Sequence, residues 1–190
     1  MKEIFSAFEA EVFRPLVTVV IPGAIGISCW FVAVMQRCAQ VRDLVSGNHT
    51  ETTVLLTVVC IASGLIIEDL GSRIESSWFD TRLVKQDGFS GHKDDWNRYL
   101  RIAFKLQPVG QDYLRTILLR FKFETGVALG LLSSSIGLFF TDLKIVYAAS
   151  WSALLVAAAV YLLSEARCSH RLLSEIRREI LKGVLIYGSV

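Results

Sequence analysis

Glu68 and Asp69 follow directly on one charge-free apolar run, and Lys122 and Glu124 stand just ahead of another. If those runs lie in a bilayer, the four groups are partly desolvated, and an ion there needs a partner. Two chemistries follow from that placement. The residues can form a charged collar along an ion path, since a ring of acids sets cation preference. Alternatively, Glu68 and Lys122 pair structurally while their neighbours reach the headgroups. The pairing is the favoured expectation, because ionisable residues at helix ends commonly snorkel.

A second cluster, His92, Asp94 and Asp95 with Asp80 nearby, contains the residue types of a metal or acid–base site. Its spacing is not specific, and Asp94 or Asp95 is better explained as the cap of a following helix. No zinc-protease helix, nucleophile elbow, phosphate loop or dinucleotide fingerprint occurs. Cys29 and Cys60 lie inside apolar runs, and Cys38 and Cys168 stand apart, so neither a disulfide framework nor a zinc site is expected. The expectation is a non-enzymatic protein with no catalytic residue, no cofactor and no metal.

The elements that must position these residues come from composition. Of 190 residues, 53% are hydrophobic and 20% charged, with mean hydropathy +0.48 and net charge +2. That is too apolar for an ordinary soluble domain. Four stretches lack Asp, Glu, Lys and Arg: 15–36, 52–67, 125–141 and 145–164. At about 1.5 Å per residue against a hydrocarbon core of about 30 Å, the first and last span with ease and the middle two are marginal. The fold class expected is an all-α polytopic membrane protein with four transmembrane helices and helical cytoplasmic extensions. The first run is read as a retained span, because the leader before it is net acidic and no small-residue cleavage pattern follows.

Lys and Arg orient the chain. Segments 1–14, 68–124 and 165–190 share one side and hold seventeen of them, against three on the other. Both termini and the central segment are therefore expected in the cytoplasm, with the spans in a cell inner membrane. The Asn48-His49-Thr50 sequon, close to the membrane on the opposite side, is weak evidence of anything.

Residues 1–14 read as an amphipathic interfacial helix, with Ile4, Phe5, Phe8, Val12 and Phe13 at helical spacing. Beyond the second run, Ile67, Leu70, Ile74 and Trp78 mark one face of a continuing helix. A short helix with Trp96 and Tyr99 then bridges to a third, through Tyr113 and Phe121, which runs into the third span. Spans three and four are joined only by Asp142-Leu143-Lys144 and form a tight hairpin. Gly126, Gly130, Ser134 and Gly137 form a small-residue stripe on span three, and Ala149, Ser152, Ala153 and Ala157 another on span four. Such stripes let helices approach closely in lipid, within the hairpin or between subunits.

Residues 165–190 continue the last helix on Leu173, Ile176, Ile180 and Val184, with Arg171, Arg177, Arg178 and Lys182 around the stripe as lipid or partner contacts. The central segment mixes ten bases with nine acids, so specific nucleic-acid binding is not expected. The partners expected are the lipid bilayer, further copies of the chain and a soluble cytoplasmic protein. Function narrows to a membrane sensor, effector or pore component, for example of a defence or stress system, with a small channel or transporter subunit as the alternative and a membrane-embedded enzyme as a distant third. Ion-coupled carriers are disfavoured, since no charge falls at mid-depth in any run.

Overall fold

A computed structural model describes residues 16–47, 49–86, 95–99 and 111–187, of which 96% are helical with no strand among them. Helix α1 is Ile21–Arg37, entered through a π-helical turn at Leu16–Val20. Helix α2 is Ala39–Gly47 and α3 is His49–Ile74, which passes through a second π-helical turn, Glu75–Phe79, into α4, Asp80–Gln86. Helix α5 is Gln111–Gly137, closed by a 3₁₀ turn at Leu138–Phe140, and α6 is Ile145–Tyr187. The expected helix over residues 1–14 lies outside the described residues, as do His92 and Asp94.

Four stretches are long and apolar enough to cross a membrane: Thr18–Arg37, His49–Arg82, Tyr113–Phe140 and Ile145–Leu181. Each takes in all or most of one of the charge-free runs. Their apolar side chains are largely exposed: in the second stretch only 11% of the most apolar window is buried. Val54, Leu65 and Ile66 on α3, and Val146, Trp151 and Val160 on α6, all face outward. An exposed apolar surface of that kind is compatible with helices that cross a membrane.

The chain divides into two units. Residues 16–71 with 122–164 form the first, and residues 72–121 with 165–187 the second. In the first, α1 is the hub. A Cβ on Gly23 would collide with the Cys60 carbonyl oxygen, and one on Gly64 with that of Val19. On its other side, Gly126 and Gly130 of α5 meet Pro22, and Gly137 meets Cys29 and Trp30. Backbones this close offer carbonyls to neighbouring hydroxyls. Ser63 donates to Gly23 O at 3.0 Å, Ser133 to Gly26 O at 3.0 Å, and Ser134 to Ile25 O. Close van der Waals contact and these hydrogen bonds hold the helices together.

The α5 stripe thus packs on α1 inside one chain. The expected stripe on span four takes a different phase. Ala148, Ser152 and Ala159 are buried, whereas Ala149, Ala153 and Ala157 are exposed. Alanine surrounds this helix, so side-chain size alone does not reveal the packed face. Within the first unit the buried and half-buried positions of this helix are 148, 152, 155, 158, 159, 162 and 163, a stripe at helical spacing.

In the second unit Tyr99, Leu114, Ile117, Leu173 and Leu181 are buried together, with Trp96, Leu118, Ile176 and Ile180 packed against them. The face expected through Trp78 is displaced by one residue: Phe79 is 2% exposed and Trp78 is 38% exposed under the Arg82 guanidinium. The π-helical turn is the reason. It carries an extra residue, with the Asp80 N–H donating to Glu75 O, and so advances everything after it around the helix axis.

Candidate functional site

The same π-helical turn builds a buried polar centre in the second unit. An i to i+5 bond brings Glu75 and Asp80 to one side of the chain, and both face His170 of α6. Asp80 Oδ1 is 3.2 Å from His170 Nε2, and Glu75 Oε1 is 4.0 Å from the same nitrogen. The imidazole is 2% exposed and lies between two rings, Phe121 with its centroid at 5.3 Å and Phe79 at 5.7 Å. Phe79 and Phe121 themselves meet edge to face at 5.6 Å, a favoured aromatic geometry.

Two turns further along α6, Arg177 is 3% exposed, with its guanidinium carbon 4.3 Å from the centre of the Trp96 ring. Burial pushes its pKa down. Asp80, Glu75, Asp95 and Tyr99 oppose that shift by favouring the cation. A desolvated guanidinium over an aromatic face is worth about 2 kcal/mol, which offsets part of the cost of burying it. Burial also raises the Tyr99 hydroxyl, against the opposing pull of Arg115 and Arg177. Beside them Arg178 Nε donates to Asp95 Oδ2 at 3.3 Å. One face of α6 therefore grips both the start of α4 and helical residues 95–99 through charged groups set among rings.

This geometry is a latch that ties α6 to the start of α4 and to residues 95–99. The Ser174 hydroxyl donates to the His170 carbonyl at 3.1 Å. The His170 ring is enclosed between the two phenylalanines. Among the described residues no group of three or more His, Cys, Asp and Glu is arranged to hold a metal ion. Asp80 and Asp95, singled out from sequence with His92 and Asp94, belong to separate pairs within the latch.

The collar residues lie in the first unit. Lys122 Nζ donates to Glu68 Oε1 at 2.9 Å, with the two side chains 36% and 33% exposed. Glu124 is buried and Asp69 exposed. Arg171 is exposed and pairs with Glu175 one turn on, at 3.0 Å. Arg177, expected at the surface with Arg171, Arg178 and Lys182, instead points into the second unit; Lys182 lies on the same helix.

His170 was not legible as a site residue, although a signal existed. Extending the Leu173–Ile176–Ile180 stripe back by one turn lands on Ser169 and His170, and a histidine on a core-facing stripe requires a polar partner. No protein family, curated protein or solved structure matches the chain.

Proposed function

We propose that the protein is a non-enzymatic integral inner-membrane protein acting as a sensor or effector. In this reading its apolar helices anchor it with both termini in the cytoplasm, and its second unit docks a soluble partner in a stress or defence response. The observation that carries this reading is the continuity of helices: α3 with α4, α5, and α6 each run unbroken from an apolar span into a unit with a polar-aromatic core of its own. Self-assembly falls to the exposed faces of α3 and α6, because the α5 stripe is occupied within the chain.

The alternative, a channel subunit with constitutive flux, is less favoured by the packing of the first unit. Between α1 and α3, Gly23 meets the Cys60 carbonyl with no room for a methyl group, which leaves no space for a water file there. Reporter fusions after Asp95 and after Val190 are expected to read as cytoplasmic, and one after Gly47 as external. Purified protein in dye-loaded liposomes is expected to show no constitutive ion flux. Steady flux from the unmodified protein would favour the channel reading, and an external signal at Asp95 would overturn the orientation.

A further inference from the structure

The π-helical turn at Glu75–Phe79 holds one residue more than a regular helix needs for the same stretch. In a regular helix the fourth residue after Ile74 returns to within about 40° of its face, and that residue is Trp78. Here the fifth returns instead. The Asp80 N–H donates to Glu75 O, and Phe79 is 2% exposed while Trp78 is 38% exposed. The chain thus offers two aromatic residues in succession for one place in the core, and the form of the turn selects between them.

Converting the turn to regular helix moves each later residue of α4 by one place. Trp78 takes the place of Phe79, Phe79 that of Asp80, and Asp80 that of Thr81, which is exposed. Val84 takes the place of Lys85, and both places are exposed, so that end of α4 is indifferent to the change. Ser76 and Ser77 are exposed as well, and Ser76 Oγ donates back to Arg73 O at 3.1 Å, a bond that competes with the regular ladder. What separates the two registers is Asp80. Only the π register sets its carboxylate 3.2 Å from His170 Nε2, whereas Glu75, 4.0 Å from the same nitrogen, precedes the extra residue and keeps its place in both. The displaced Trp78 ring meanwhile rests under the Arg82 guanidinium at 4.7 Å, which stabilises it at the surface.

We propose that residues 75–80 are a two-register switch. One register is the observed π turn, locked by Asp80 on His170. The other is a regular helix in which Trp78 replaces Phe79 in the core and Asp80 is released to solvent. Loss of the Asp80 contact with His170 throws the switch, because π turns are rare and a side-chain contact must hold this one. The device lies wholly within the second unit and stands independently of the sensor reading.

Hydroxyl-radical footprinting of the full chain in detergent, read residue by residue by mass spectrometry, reports on both rings at once. In the unmodified protein Trp78 is expected to be oxidised and Phe79 protected. Asp80→Ala removes the lock. Oxidation of Trp78 is then expected to fall about threefold or more as the population shifts. That of Phe79 should rise, since it moves to a place where the Asp80 side chain is 19% exposed. His170→Leu removes the other half of the contact and is expected to act in the same direction. Deleting Ser77 takes out the extra residue, so Phe79 becomes the fourth residue after Ile74 and a regular helix keeps it in the core. Asp80→Ala in the chain lacking Ser77 is therefore expected to return the pattern of the unmodified protein. Should that deletion fail to fold, the reciprocal change in the two substitutions decides. Exposure of both rings together would mean local unfolding without a second register, and an unchanged pattern would mean that Trp78 has no place in the core. Either result, or any change that is not reciprocal, would overturn the proposal, as would a swap that persists in the chain lacking Ser77.

Discussion

Asp80 Oδ1 stands 3.2 Å from His170 Nε2 in the second unit, joining the first residue of α4 to the middle of α6. The contact exists because a π-helical turn places Asp80 and Phe79 on the face that a regular helix would have given to Trp78. It is the centre of the latch, and its energy can be measured. Asp80→Asn and His170→Gln, singly and together, are expected to show a coupling of about 1–3 kcal/mol in the unfolding of the full chain in detergent. Strict additivity would remove the pair from the account of the latch.

Arg177 and Trp96 supply the second arm. Replacing Trp96 by Leu keeps apolar volume but removes the ring face from a buried guanidinium, and is expected to cost about 1–3 kcal/mol. In Trp96→Leu, protease sensitivity within residues 72–121 should rise while the apolar spans stay protected. Equal sensitivity in the variant and the parent would contradict the stacking as a source of stability.

Alkaline pH offers a third check. Burial raises the Tyr99 pKa above its ordinary value of 10.0, so the folded state holds that proton more tightly than the unfolded chain. The contribution is fully present below about pH 10 and is lost as pH rises through the folded value. Tyr99→Phe is therefore expected to lose less stability than the parent above about pH 10, with the two curves parallel below it. Thermal melts across that range decide it.

In the first unit, Gly130→Leu puts a side chain where even a Cβ would be 2.7 Å from the Pro22 carbonyl oxygen. A loss of about 1–3 kcal/mol or more is expected, read as resistance to unfolding in detergent. Gly47→Ala, with nothing within 4 Å of its Cβ, is the control and should be near neutral. A wild-type profile for Gly130→Leu would mean that α1 and α5 are not held at this crossing.

The Glu68–Lys122 pair separates the two readings of the collar. Glu68→Gln is expected to destabilise by about 1 kcal/mol or less, as for a pair about a third exposed to solvent, and the swap Glu68→Lys with Lys122→Glu to restore most of it. If the pair instead lined an ion path, Glu68→Gln would leave stability alone and alter conductance in liposomes.

What the residues determine by themselves follows from their one-dimensional patterns. Runs without charge, such as 15–36 and 145–164, specify apolar helices, because in lipid a helix satisfies its own backbone. Each of the four such runs falls wholly or mostly within one long helical stretch. The helix α2 was not legible, since nine residues between two spans carry too little periodicity to distinguish a helix from a loop. Which face each helix buries was read less well. Leu70 and Trp78 lie in phase on paper, but the π-helical turn after Ile74 rotates the register and buries Phe79. Likewise Ala149 and Ala159 are the same residue type, and only the partner helix decides that the second is covered. The latch is the extreme case. His170, Arg177, Glu75, Asp80 and Trp96 come from three segments far apart in the chain, and their chemistry exists only where packing removes water and forces them to satisfy one another.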